Sequence, residues 1–326
     1  MRVDLSDDPT AFRSSDWGDV VTADPYGSFF HTPEYLKLYW EEFGSGRLII
    51  ATATDDSADP VAACVLAVED GVLTFLGGFD VTDYMGPVAV PGRAEAFAKE
   101  LFGAALTDVE WERADLRGMK AESPWPALLA DAAAAQGLRV ERHDDGVCPV
   151  LRLPATHEEY LAALPAKLRH EIRRKDRRLQ ADLGEYRIEL ATQETLPELY
   201  DRFIELHRES PGPKGKFMHA GMEIFFRRLG EAFLPRGEFS LAFIRVGDAW
   251  PAGIIGFRFD DTFSLYNSAF DRDYGQWSPG MVLISDMIRR SIDEGLATFD
   301  LLKGDLEYKK RFGAEPAAVS RLGVAR

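Results

Sequence analysis

Hydrophobic and polar positions alternate along this chain in two rhythms, one of period two and one of three to four, which take turns from end to end. In the first half the pattern predicts a helix over residues 32–43, then strands over 48–54, 61–68 and 72–76. A helix over 94–106, a strand over 109–116, a helix over 125–136 and strands within 138–153 follow. In the second half a strand over 186–190 precedes helices over 196–208 and 220–233. Three strands come next, over 239–246, 252–259 and 262–270. A helix over 279–294, a strand over 298–302, a short helix over 305–311 and a strand near 317–324 complete the series.

Three adjacent strands followed by helix, strand, helix and strand thus occur twice, with no repeat at the level of residues. Three consecutive strands predict an antiparallel meander, and a helix crossing to the next strand adds a parallel neighbour. The fold class expected is mixed α/β: two lobes, each a mixed, mostly antiparallel sheet flanked by helices. A length of 326 residues suits two domains of about 150. The division expected is 1–155 for a first lobe, 156–183 for a basic helical connection and 184–326 for a second lobe.

Charge narrows the function. The chain carries 54 acidic against 38 basic residues, a net charge of −16, which disfavours non-specific nucleic-acid binding. One local exception is the connection, where seven bases between Lys167 and Arg178 stand against Glu171 and Asp176. Arg169 and Arg173 lie four apart on one helical face, and guanidinium forks suit phosphate or carboxylate. They are candidates for holding an anionic substrate; a solvated helix face is the plain alternative. Cys64 and Cys148 sit in apolar strand-like runs and read as buried thiols of a reducing compartment. No apolar run has the length of a membrane helix, and the first residues carry no secretory pattern. The expectation is a cytoplasmic protein without membrane insertion. Metal chemistry is not expected either, because Cys-x-x-Cys and His-Glu-x-x-His are missing and the six histidines do not cluster.

Residues 262–313 carry the most chemistry. Ser278 is placed to cap a helix, Pro279 suits its first position and Gly295 its left-handed end. Gly280, inside the first turn, costs about 1 kcal/mol against alanine but lets a ligand approach the backbone. First-turn amides and the positive end of the helix dipole make an anion site there, against the plain reading of an ordinary capped helix. Ser278, Gly280 and Met281 are the expected cradle for a donor's phosphates, with Trp277 either covering a ligand ring or packing in the core.

Several segments together resemble one known family. They are Phe263-Ser264-Leu265-Tyr266-Asn267-Ser268-Ala269-Phe270, Ser278-Pro279-Gly280, Gly295, Phe299-Asp300-Leu301-Leu302-Lys303-Gly304-Asp305 and Tyr308-Lys309-Lys310-Arg311-Phe312-Gly313. Upstream pieces add Phe29-Phe30-His31-Thr32-Pro33, Asp83-Tyr84-Met85-Gly86-Pro87 and the basic run Lys167 to Lys175. This series resembles the tandem-GNAT group containing the CelD/BioF2-like acetyltransferase domain, related to the Fem-type aminoacyltransferases of peptidoglycan cross-bridges. The resemblance implies two tandem GNAT-like lobes, the second an acyltransferase with the pyrophosphate of coenzyme A on the helix after its fourth strand. The usual GNAT phosphate loop, Arg/Gln-x-x-Gly-x-Gly/Ala, is absent, and the donor stays open between an acyl-CoA and an aminoacyl-tRNA.

Through the same resemblance Lys309 is expected to stabilise the tetrahedral oxyanion of acyl transfer, the alternative being a solvated lysine beside Lys310 and Arg311. Tyr308 is expected to protonate the leaving group or to pack as a core aromatic. Asp305 either caps the last helix or meets the acceptor, and Asn267 is placed with the substrate. On the acceptor side His207 and Glu205 are base candidates, and loop 210–217 with Lys216 is a possible lid. Asp83 and Tyr84 are expected to face a substrate cleft. The function implied is transfer of an acyl group, acetyl foremost, from an acyl-CoA to the primary amine of a small molecule, sugar or peptide. Aminoacyl transfer from aminoacyl-tRNA, the one case with a nucleic-acid partner, and a non-catalytic binding protein of the same shape are the alternatives.

Overall fold

The computed structural model describes residues 1–12, 15–78, 80–304 and 306–326. In chain order the elements are β1 (Arg2–Ser6), α1 (Ser15–Ala23), α2 (Pro33–Phe43), β2 (Arg47–Thr54), β3 (Pro60–Glu69), β4 (Val72–Phe75), β5 (Val88–Ala89), α3 (Ala94–Gly103), β6 (Arg113–Lys120), α4 (Trp125–Ala135) and β7 (Arg139–Arg152). There follow α5 (His157–Ala163), α6 (Ala166–Leu183), β8 (Tyr186–Leu190), α7 (Leu196–Arg208), α8 (Pro213–Phe217), α9 (Ala220–Phe233), β9 (Phe239–Val246), β10 (Ala249–Phe259), β11 (Thr262–Phe270), α10 (Pro279–Asp293), β12 (Thr298–Asp300), α11 (Glu307–Lys310) and β13 (Glu315–Ala325). The chain divides into two compact units: Met1–Cys148 with Ala317–Arg326, and Pro149–Pro316. The helices over 157–183 therefore lie inside the second unit, and the end of the chain returns to the first.

In the first unit the strand order is β1-β2-β3-β4-β6-β13-β7, with β5 on β3. The β4–β6 pair is parallel and spans Val72/Arg113 to Thr74/Asp115. Past that point β4 ends, and the segment 84–86 lies against β6. The Met85 amide donates to the Gly118 carbonyl at 2.9 Å, and buried His31 bonds the Met85 main chain. Tyr84 is buried, its ring edge-on to Phe30 and 4.7 Å from the Lys120 ammonium. Gly118 has φ +78°, and a Cβ there would press on Met85, so only glycine lets the segment come this close.

In the second unit residues 150–152 of β7 pair β12, and the order continues β12-β11-β10-β9-β8. The β11–β12 pair is parallel and its neighbours are antiparallel. Helix α10 packs Val282, Leu283, Ile284, Met287, Ile288 and Ile292 onto one face with Ile254, Phe263 and Leu265. This stripe is wider than a period of three to four requires, as befits a helix laid flat on a sheet. The aromatic core of the unit includes Phe203, Phe225, Phe226, Phe239, Phe243 and Phe257, all buried; each such ring contributes roughly 2–3 kcal/mol of burial.

Candidate functional site

β11 and β12 run side by side only from Thr262/Thr298 to Ser264/Asp300. β11 continues to Phe270 with a bulge at Tyr266, since Ile255 faces Asn267 while Gly256 faces Leu265. β12 stops because Leu302 adopts the left-handed backbone, φ +55°, and the Asp300 carboxylate turns onto the Leu302 amide at 2.7 Å. The two strands part at this point. A strand edge without a neighbour offers its amides and carbonyls to another extended chain.

After β11 a 3-10 turn, Arg272–Trp277, leads into α10. Ser278 occupies the cap position but is itself left-handed (φ +55°) and its side chain does not cap. Its hydroxyl accepts from the Lys175 ammonium of α6 at 3.3 Å. The Met281 and Val282 amides bond the Ser278 carbonyl, Pro279 has no N–H, and among the described residues no main-chain acceptor meets the Gly280 amide. A Cβ built on Gly280 would touch nothing within 4 Å. The turn is thus open in front of one amide, at the positive end of a helix and beside a lysine.

Helix α11 lies beyond β12. Lys309 is 3% exposed, and its ammonium donates to the carbonyls of Leu302 (2.8 Å) and Lys303 (2.7 Å). These bonds hold the left-handed turn that ends β12. Tyr308, packed against the core of the second unit, hydrogen-bonds Ser268 of β11, and burial raises its pKa to about 12. On β11 the Asn267 side-chain oxygen accepts from the Ser268 amide at 2.8 Å and lies 3.2 Å from His207 Nε2. Because that oxygen is an acceptor, Nε2 carries the His207 proton and Nδ1 keeps its lone pair. Nδ1 is buried without a partner among the described residues. Burial, with help from the Lys214 charge, lowers the His207 pKa to about 4, so the ring is neutral at pH 7.

The sequence profile of the acetyltransferase (GNAT) domain matches residues 166–310, which span the parting strands, the α10 turn and α11. That match lies within the second unit. Solved structures of similar fold cover the whole chain. A conserved protein of unknown function from Bacteroides thetaiotaomicron is 14% identical, with 100% of both chains covered and a TM-score of 0.68. FemX is 9% identical, covering 98% of this chain and 97% of its own, at 0.67. L-PGS from Bacillus licheniformis is 13% identical, covering 94% and 92%, at 0.56. At these identities the likeness is one of fold. No curated protein matches the chain by sequence.

Within the matched region Trp277, Ser278, Gly280 and Met281 lie together at the start of α10, Tyr308 meets Ser268 of β11, and Asn267 of β11 meets His207 of α7. Other expectations change. One guanidinium nitrogen of Arg169 donates to the carbonyls of Leu161, Ala162 and Leu164 at 3.2–3.5 Å and caps the end of α5. The Trp277 indole donates to Asp182 at 2.9 Å, which ties the turn to α6. Lys309 is buried rather than solvated. Tyr84 is buried in the first unit and Asp83 beside it is half-buried. Lys216 is exposed on α8. Asp305 lies outside the described residues. Sequence reading missed the specific part of Lys175, one of seven bases with nothing local to set it apart, and of Ser268, which only the return of α11 brings to Tyr308.

Proposed function

We propose that the GNAT domain transfers an acyl group from an acyl-CoA to a primary amine. The observation that carries this reading is the parting of β11 from β12 after three paired residues, directly ahead of the open turn at Gly280. An extended donor arm bearing amides suits the β11 edge, and its phosphates suit the Gly280 amide and Lys175. Attack of a neutral amine on the thioester carbonyl forms a tetrahedral oxyanion whose nitrogen gives up its extra proton to solvent; collapse breaks the C–S bond, and the departing thiolate takes a proton. Tyr308 is suited to give that proton, because a pKa near 12 keeps the phenol protonated at neutral pH. In this reading Lys309 is a positioning residue that braces the turn after β12. His207 Nδ1 accepts a hydrogen bond from the acceptor; with a pKa near 4 it is too weak a base to strip an ammonium itself.

A second donor, aminoacyl-tRNA, is favoured by one observation: Lys167, Arg174 and Arg178 are exposed along α6. Melting of the purified chain with acetyl-CoA separates the two. A saturable rise in Tm, lost in Gly280→Glu while the unliganded melt is kept, supports the acyl-CoA reading. Turnover that needs RNA and is destroyed by ribonuclease, with no response to coenzyme A, replaces it by the second. A chain that answers to neither donor and tolerates Tyr308→Phe without loss of biological output is a binding protein of this shape.

A further inference from the structure

A cavity of about 690 Å3 lies between α6, α10 and β8. No residue of β11, β12 or α11 lines it, so it is separate from the parting strands. Ile172 and Val282 give it an apolar floor, while its centre is a polar group of three. The Tyr186 hydroxyl stands 2.8 Å from an oxygen of Asp176 and 2.8 Å from an oxygen of Asp286. A phenol has one proton and can donate to only one of them. Burial and the two carboxylates raise the Tyr186 pKa, so that proton stays on the phenol. Gln180 donates to the same Asp176 oxygen at 2.9 Å, and Arg289 reaches Asp286 from an exposed position. The Asp286 side chain is itself only 10% exposed. Two carboxylates therefore share one hydroxyl, and the protein's own donors leave part of their accepting capacity unfilled.

The exposed part of the lining is net basic, with Arg173, Arg187 and Arg289 against Glu185. Arg173 has no carboxylate in contact among the described residues. His157 also lines the cavity, and its Nε2 is buried without a partner among the described residues. A pure anion meets the two carboxylates inside, a pure polycation meets the arginines at the mouth, and a molecule with both charges satisfies each. The volume falls in the range of small-ligand sites, roughly 300–1,000 Å3.

We propose that this cavity binds a small zwitterion of the amino-acid or short-peptide class, its primary ammonium between Asp176 and Asp286 and its anionic group on Arg173. An ammonium held by two carboxylates keeps its proton and is no nucleophile, so the site is distinct from acyl transfer and stands whether or not that reading holds. Its ligand ties α6 to α10, the helix that opens at Gly280, and Lys175, which lines the cavity, reaches Ser278. Calorimetric titration of the full chain with L-alanine, L-lysine and alanyl-alanine tests it, with putrescine and succinate as probes that each lack one charge. At least one zwitterion binds saturably, and putrescine and succinate bind at least about tenfold more weakly. Asp286→Asn and Arg173→Gln each cut the affinity about tenfold. Failure of all three zwitterions to bind, equal binding by putrescine or succinate, or full affinity in Arg173→Gln overturns the proposal. Arg173 is exposed, so its variant keeps the test decisive even if Asp286→Asn does not fold.

Discussion

In the first unit β4 and β6 run parallel from Val72/Arg113 to Thr74/Asp115, and in the second β11 and β12 do so from Thr262/Thr298 to Ser264/Asp300. Both pairs separate after three residues, and the units differ in what comes next. The first brings in its own chain: Met85 bonds Gly118, His31 holds Met85, and Tyr84 is buried beside them. The second lets β11 run on to Phe270 with β10 as its only paired strand among the described residues and fixes the departing strand with Lys309 on two carbonyls. Main-chain groups released by parting strands must find partners. A unit that supplies them internally becomes scaffold, and one that leaves an edge unpaired has room for a ligand.

The comparison breaks most visibly at Lys309. Lys309→Ala removes this donor from the buried Leu302 carbonyl and the part-buried Lys303 carbonyl and is expected to cost the second unit about 3 kcal/mol, read as a lower urea midpoint. If the midpoint does not move, the turn after β12 is held by something else.

Acid sharpens the contrast. Burial lowers the His31 pKa to about 3 and the His207 pKa to about 4, against the ordinary 6.5. In unfolded chain these rings take up protons below pH 6.5, and in folded chain only near pH 3 and 4. Stability from their neutral burial is full above pH 6.5 and falls as pH falls, by about 1.4 kcal/mol per pH unit for each ring. His207 has given up about 3 kcal/mol by pH 4, below which only His31, in the first unit, adds to the loss. Urea midpoints between pH 7 and 4.5 should flatten in His207→Gln and in His31→Gln.

Gly118→Val tests the closed unit. A β-branched residue at φ +78°, pressing on Met85, is expected to cost about 2 kcal/mol and to leave any Tm response to acetyl-CoA unchanged. Loss of that response would show that the donor uses the first unit as well. The smallest effect is at Gly280, where the space in front of the backbone is empty. Gly280→Ala should raise stability by up to about 1 kcal/mol, because no atom opposes the methyl; a fall in Tm would mean the turn is more crowded than its geometry shows.

Much of the fold was legible. The meanders, the helices over 196–208 and 220–233 and the α10 segment follow from periodicity, and Gly295 ends α10 with φ +75° as expected. The misreadings share a cause. A strand was expected over 109–116, but Val109 and Trp111 are core residues outside a strand, and β6 begins at Arg113; apolar rhythm reports burial and not pairing. β1 went unseen because it is largely exposed and exists through its ladder with β2. The helical connection expected over 156–183 breaks at Leu164, extended before Pro165, a signal the sequence did contain. In the candidate site the glycine, the proline and the basic run were readable, whereas the capping of α5 by Arg169 and the burial of Lys309 were not.

By itself the sequence determined the order of elements, the places where glycine and proline punctuate them, and the one basic helix in an acidic chain. Tertiary structure decided which strand edge is closed and which is left open, where the Lys309 charge is buried, and which two carboxylates share the Tyr186 hydroxyl. The reason is physical. Local rhythm fixes what a segment can become, but a backbone amide, a buried ammonium or a shared proton is satisfied by whichever group the fold delivers, as when Lys175 meets Ser278 from 103 positions away.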